Sequence, residues 1–316
     1  MRKKVKKTPV VIINSPTATG KTKLAVELAL DFRGEIINAD SLQVYRYLDI
    51  GTAKPTLQQR QAVKHHLIDI LDPDEEYNAA LFARQAREVI ADLEKLKKPV
   101  FVVGGTGLYI KALLKGIIAT PPVDEQIRNH YRSLRESQGK AYLYDLLKSR
   151  DPAAAEKINP NDSVRVIRAL EVLDQTGESI TVKQQEHSFA DSPFASYKVG
   201  LSVDREDLKR RIIARTERMI DEGLLGEVEK ILDMGYSENL KPLQSLGYKQ
   251  MIGFIRRRYR WDEAIELIKR DTWQYAKRQM TWFGADKEIH WFDSDAVEDI
   301  IRNVKKFLKN NADLLK

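Results

Sequence analysis

A chain of 316 residues, 42 % hydrophobic and 31 % charged, is long enough for one large domain or a domain with an insertion, and it can bury a sizeable core. It has no cysteine, which excludes a disulfide framework and a thiolate zinc site; no apolar run reaches the ~18 residues of a membrane span, and no apolar signal core follows the basic start, so a cytoplasmic enzyme is expected. The formal charge is +7, with basic clusters at 2–7, 256–260 and Lys277-Arg278, which points to a polyanionic partner; a solvated lysine-rich surface is the plainer alternative.

In chain order, Val10 to Ile13 reads as a buried strand. Lys21 to Phe32 reads as a helix with Leu24, Leu28 and Phe32 on one stripe. Gly34 stands just past its end, where a left-handed residue is wanted. Glu35 to Asn38 is a short second strand, and Leu81 to Lys97 is an amphipathic helix stopped by Pro99. Val100 to Val103 is another apolar strand, after which "GGTGLY" turns the chain into a helix. Strand and helix alternating at this spacing give a parallel sheet with crossover helices. From Pro121 to Pro193 the texture changes to helical segments alone, at 124–139, 140–150 and 162–177. Tyr197 to Val203 returns to a strand pattern, and Asp204 with Asp207 opens a helix. The last third reads as helical over Leu208–Asp221, Leu224–Met234 and Trp261–Trp282.

The chemistry starts at Ser15-Pro16-Thr17-Ala18-Thr19-Gly20-Lys21-Thr22. This run departs from the phosphate-loop pattern G-x-x-x-x-G-K-[ST] only at its first position. Gly20 lets backbone amides curl towards an anion, Lys21 supplies positive charge, Thr22 offers a hydroxyl to Mg²⁺, and the helix that starts here adds its dipole. An ordinary strand-to-helix turn is the alternative. A plain ATPase also needs an apolar strand that ends in a metal-binding acid. Val100–Val103 instead ends in Gly104-Gly105-Thr106. The acid that does follow a strand is Asp40, which is either a helix cap or a group that faces a second substrate. His65-His66 is not a metal pair, because neighbours on a strand point to opposite faces. On the Trp261–Trp282 helix, Trp261, Ile265, Ile268 and Thr272 run along one side, which favours core packing over base stacking. The expected fold is α/β: a P-loop NTPase-like parallel sheet flanked by helices over 8–120 and 196–316, with an all-helical insertion over 121–195.

"SPTATGKT", "DSLQVYRYLDIGTAKP", "VGGTGLYIKALL", "NPNDSVRVIRALEV" and "LGYKQM" follow one another between Val10 and Phe292. Together they closely resemble the tRNA dimethylallyltransferases, also called tRNA isopentenyltransferases. That family usually has glycine where this chain has Ser15. Its eukaryotic members carry a C-terminal zinc finger, so this cysteine-free chain resembles the bacterial ones. The resemblance implies transfer of a dimethylallyl group from dimethylallyl diphosphate to N6 of the adenosine 3′ of the anticodon, in tRNAs that read codons starting with U. Residues 15–22 would then hold the diphosphate, with Mg²⁺ at Thr22. Lys21 and Arg215 would stabilise the leaving group, with Arg211 as the neighbour most easily confused with Arg215. Asp40 would be the general base, and Thr106 would touch the adenine and assist. The target base must be flipped out of its stack, and Ser41, Leu42 and Gln43 lie where the family grips it. Arg128 and the run Val164, Arg165, Val166, Ile167, Arg168 match positions that contact the anticodon stem-loop. So do Gln244, Ser245, Leu246, Gly247, Tyr248 and Lys249. A solvated helix face is the alternative for the arginines. A monomer is expected, since a partner the size of tRNA needs free surface. Two other readings stand beside this one. In a P-loop kinase of a nucleoside or small metabolite, Asp40 would activate a hydroxyl. In a basic RNA-binding protein, the loop would be vestigial.

Overall fold

The computed structural model describes residues 7–117, 121–182 and 192–311. The chain divides into two compact units, Met1–Gly116 with Ser192–Lys316, and Ile117–Asp191. In the first unit, β1 (Thr8–Asn14), β2 (Glu35–Asn38), β3 (His65–His66), β4 (Val100–Gly104), β5 (Phe194–Ser202) and β6 (Ile289–Asp293) form one sheet in the order β3-β2-β4-β1-β5-β6. Every pairing is parallel. Val10 to Ile13 of β1 are fully buried, as an unbroken apolar run must be when helices cover both faces of a strand. Asn14 is in register with Gly104, and Asn38 with Val103. The loops that leave β1, β2 and β4 therefore emerge together at the carboxyl edge of the sheet, where parallel sheets bind ligands.

The helix after β1 spans Lys21–Asp31. The left-handed residue beyond it is Arg33, at φ 53, and not Gly34. Gly34 is required by space instead: a Cβ there would lie 2.6 Å from the Pro99 carbonyl and from the Phe101 ring. The next long helix starts at Ala79 rather than Leu81, because the Asn78 side chain accepts the amides of Ala80 and Leu81 at 3.0 Å each. Asp204 caps Arg205–Asp221 as its position suggests, accepting from Glu206 and Asp207. The sequence reading omits Leu57–Ala62, Tyr248–Ile255, β6 and Val297–Asn310. The last of these buries Ile300, Val304 and Leu308 in the same core as Val11, Leu24 and Val199. Among the described residues no helix is long and apolar enough to cross a membrane.

The second unit is helical: Glu125–Arg150, Pro152–Lys157 and Ser163–Thr176. Gly139, at φ 88, splits the first of these into the two segments read from the sequence. Asp124, Asp151 and Asp162 cap the three starts. Tyr131, Leu143, Leu147, Val166, Ile167 and Leu170 form the unit's core. Val166 and Ile167, expected among the contact residues, are 1 % and 7 % exposed: the helical period turns their side chains into this core. Val164, 78 % exposed, and Arg165 point outward. The expected insertion runs to 195, whereas Phe194 and Ala195 already belong to β5; residues 183–191 and the basic residues 2–6 lie outside the described residues.

Candidate active site

The loop between β1 and the Lys21–Asp31 helix is closed by its own side chains. Ser15 Oγ meets Thr19 Oγ1 at 2.8 Å, and Thr19 Oγ1 donates to the Pro16 carbonyl at 2.9 Å. Ser15 has no positive φ, so a Cβ costs nothing at this position. Its hydroxyl is spent inside the loop, and a glycine could not make that bond. Ser15 and Thr19 are buried, and Pro16 has no N–H to offer; the side chains of Ser15 and Thr19 close the loop on itself. The Thr17 amide is also engaged, donating to Gln279 Oε1 at 2.9 Å. Ala18, at φ 64, and Gly20, at φ 94, turn the chain. No side chain caps the helix at Gly20, so its first amides are left for a ligand. The Lys21 ammonium folds back onto the Pro16 carbonyl at 3.1 Å.

Asp40 follows β2. Its Oδ1 accepts the amides of Leu42 and Gln43 at 2.9 and 3.4 Å, the capping role that an Asp-Ser pair suggests. Oδ2 has no partner among the described residues, which leaves it available to a substrate. Thr106 follows β4. Its Oγ1 accepts the Ser41 amide at 3.2 Å and donates to Ser41 Oγ at 3.5 Å, tying the turn after β4 to the turn after β2. Gly104 makes this approach possible, since a Cβ there would overlap the Ala39 carbonyl. Arg215, on Arg205–Asp221, donates to the Thr52 carbonyl at 3.3 Å. Arg211 is bound elsewhere, to Asp207 at 3.0 Å.

Thr17, Lys21, Thr22, Asp40, Ser41, Leu42, Gln43, Thr106 and Arg215 all line one cavity of about 620 Å³. Burial, and then the neighbouring Arg215 charge, push the Lys21 ammonium down to about 8, while Asp40 pulls the other way. Burial also works against the Arg215 charge, and Asp40 again opposes it. Two cations beside one carboxylate are thus arranged for an anion. Tyr77, Tyr109, Met219, Ile268 and Tyr275 supply an apolar wall. Burial holds the Tyr77, Tyr109 and Tyr275 hydroxyls protonated far above neutrality.

The sequence reading missed Gln279, which bridges two of the loops: its Oε1 takes the Thr17 amide, and its Nε2 donates to the Gly105 carbonyl at 2.9 Å. The stripe read as core packing does enter the protein, but Ile268, Thr272, Tyr275 and Gln279 line the cavity. Gln244, Ser245, Leu246, Gly247 and Lys249 also line it. Tyr248 does not: it is fully buried, and its hydroxyl donates to Glu227 at 2.6 Å. Arg128 and Arg168, in the helical unit, both pair with Glu171, a fully buried carboxylate, at 3.1 and 2.7 Å. They serve that charge first. Arg165 pairs only at the surface, with Asp162 at 3.3 Å. His66 binds Glu35 at 2.7 Å and His65 the Val63 carbonyl at 2.8 Å. No group of three or more His, Cys, Asp or Glu among the described residues is arranged to hold a metal.

Comparisons with known proteins point to one family. The model of the IPP transferase family matches residues 43–286. The chain is 53 % identical over 305 residues to tRNA dimethylallyltransferase 2 of Syntrophus aciditrophicus, covering 96 % of this chain and 98 % of the relative. It is 51 % identical to tRNA dimethylallyltransferase 2 of Geotalea uraniireducens, with 87 % and 89 % covered. The crystal structure of the full-length tRNA isopentenylpyrophosphate transferase of Bacillus halodurans superposes with a TM-score of 0.71 at 37 % identity, covering 98 % of this chain and 99 % of that one. A eukaryotic dimethylallyltransferase captured acting on tRNA gives 0.81 at 28 % identity, with 96 % and 80 % covered.

Proposed function

The chain belongs to the tRNA dimethylallyltransferase family, and from that membership we propose how its cavity works: dimethylallyl diphosphate lies on the phosphate loop, and N6 of a flipped adenosine 3′ of the anticodon reaches it past Asp40. The observation that carries this reading is the meeting of Lys21, Arg215, Asp40 and Thr106 around one cavity with an apolar wall. As the allylic C–O bond breaks, negative charge builds on the diphosphate. The first-turn amides, Lys21 and Arg215 take up that charge without rearranging. The adenine amine is a weak nucleophile because its lone pair is delocalised into the ring. Asp40 Oδ2 accepts its hydrogen and takes the proton as the C–N bond forms. Oδ1 stays tied to Leu42 and Gln43, so the carboxylate is aimed beforehand. Thr106, fixed on Ser41, holds the adenine edge in line. Tyr77, Tyr109 and Tyr275 enclose the hydrocarbon and keep water from the allylic carbon.

The donor set suits Mg²⁺. Thr22 lines the cavity and would offer one hydroxyl, and among the described residues no acidic cluster competes for the ion. Mg²⁺ takes few protein ligands when phosphate oxygens and water complete its shell. Bound at Thr22, it supplies further positive charge to the departing diphosphate. The exposed Arg165, with Gln244 and Lys249, exposed residues that line the cavity, would meet the anticodon stem-loop of a monomeric, cytoplasmic enzyme.

The test pairs unmodified tRNA with dimethylallyl diphosphate labelled in its carbons, beside a parallel reaction with γ-labelled ATP. Carbon label recovered as a modified adenosine is the expected result. ATP phosphate transferred to a small acceptor, with no carbon label in the tRNA, would overturn it. Asp40→Ala should lower turnover by ~10²-fold or more while tRNA affinity stays near wild type; unchanged turnover removes Asp40 from its role.

A further inference from the structure

The carbonyl of Thr52 is a shared anchor. It accepts the Arg215 guanidinium at 3.3 Å and the Gln43 side-chain amide at 3.1 Å. Whatever fixes Thr52 therefore fixes a cation assigned to the leaving group. Within its own loop, the Thr52 hydroxyl donates to the Leu48 carbonyl at 2.6 Å. The buried Lys54 ammonium joins the Tyr45 carbonyl, Asp49 and Asp69 at 2.9, 2.5 and 2.5 Å. The amides at the loop's tip have another acceptor. Those of Asp49, Ile50 and Gly51 all donate to the carboxylate of Glu227, at 3.0, 2.7 and 3.1 Å. A fourth donor is the Tyr248 hydroxyl, at 2.6 Å; burial and the Glu227 charge keep it protonated. One carboxylate thus ties together the 49–54 loop, the Leu224–Asp233 helix and the Tyr248–Ile255 helix. Gly51 seals the arrangement, since a Cβ there would lie 2.5 Å from the Tyr248 ring. Glu227 itself does not line the cavity.

We propose that Glu227 is a positioning residue for the transfer reaction: by gathering the amides of 49–51 it holds the Thr52 carbonyl where Arg215 must be aimed at the departing diphosphate. The proposal rests on the role given to Arg215 above. Glutamine at 227 has the same shape, but its –NH₂ would face amide donors that it cannot accept from.

Single-turnover transfer of labelled dimethylallyl groups to unmodified tRNA tests this, with thermal melting and tRNA binding measured in parallel. E227Q should slow the chemical step by ~10-fold through misaimed charge, leaving tRNA affinity within about twofold. In an Arg215→Ala background the same change should cost less than ~3-fold, because coupled residues are not additive. Tyr248→Phe removes one of the four donors and keeps the carboxylate. It should act in the same direction, more weakly, with the same dependence on Arg215, and it carries the test if E227Q does not fold. Wild-type rates in both folded variants, or equal losses with and without Arg215, overturn the proposal. Absence of transfer by the wild-type protein overturns the reading of the site itself.

Discussion

Lys21 is a cation in the cavity that titrates near working pH, at about 8. An anion bound beside it favours the charged form, so its pKa rises on binding. Diphosphate affinity is therefore full below about 8 and is lost as pH climbs through that value towards the higher pKa of the complex. Calorimetry with inorganic diphosphate should show weaker binding at pH 9 than at pH 7. Lys21→Ala should bind weakly at both and lose less between them; parallel curves for the two proteins would contradict the assignment. Gly104 makes a different demand. Its missing Cβ leaves room for the Ala39 carbonyl just past the end of β2, and backbone cannot yield as a side chain can. Gly104→Ala should destabilise the fold by ~1–3 kcal/mol or more, as overpacking does, seen as a lower urea midpoint. The turn at Gly20 and the placing of Lys21 and Thr22 beside it were legible in the motif; the choice of Arg215 over Arg211 came from the family resemblance alone. The use of Ser15 was not legible. A pattern records that glycine is replaced, whereas the bond from Ser15 to Thr19 depends on how the loop closes.

At the scale of elements, the strands and helices with strong periodicity were legible: β2 appears over Glu35–Asn38 as read, and Gly139 divides the inserted helix where the pattern did. Elements with a weak apolar signal were not. β6 buries Ile289 while His290 and Trp291 stay exposed, so no alternation marks it, and β3 is two residues long. The Trp261–Gly284 helix shows why a site can hide in a core pattern. Its stripe is apolar at Ile268 and ends in Gln279, four residues beyond Tyr275; only the fold shows that this end meets the Thr17 and Gly105 loops. Gln279→Ala should orphan a backbone donor and acceptor and reduce turnover by ~10-fold, with tRNA affinity little changed. Loss of tRNA binding at constant turnover would show that the bridge serves another purpose. In the helical unit, removing Arg128 and Arg168 together strands the buried charge of Glu171 and should cost ~3–5 kcal/mol, read by chemical unfolding. Arg165 gives the cleaner probe of tRNA. Arg165→Ala should leave stability unchanged and reduce the salt slope of tRNA binding by ~1; an unchanged slope would remove it from the interface.

For the whole molecule, the net charge of +7 and the family both lead to a polyanion, but charge alone says nothing of where it docks. The sequence did show a parallel sheet interrupted by helices, because strand periodicity stops near Pro121 and resumes near Tyr197. It could not show that the two flanks of the interruption lie on either side of one strand. The interruption separates β4 from β5, and β1 lies between them, with Val10 beside both Val100 and Ser196. A ribosome delivers β1, β2 and β4 early and β5 only after the whole inserted unit has been made. At ~5–20 residues per second this delay is on the order of ten seconds. Throughout it, the Val10–Ile13 edge of a half-built sheet is open to other nascent chains, and such edges invite aggregation. The strand that carries the phosphate loop is thus left half-paired while the inserted unit is made.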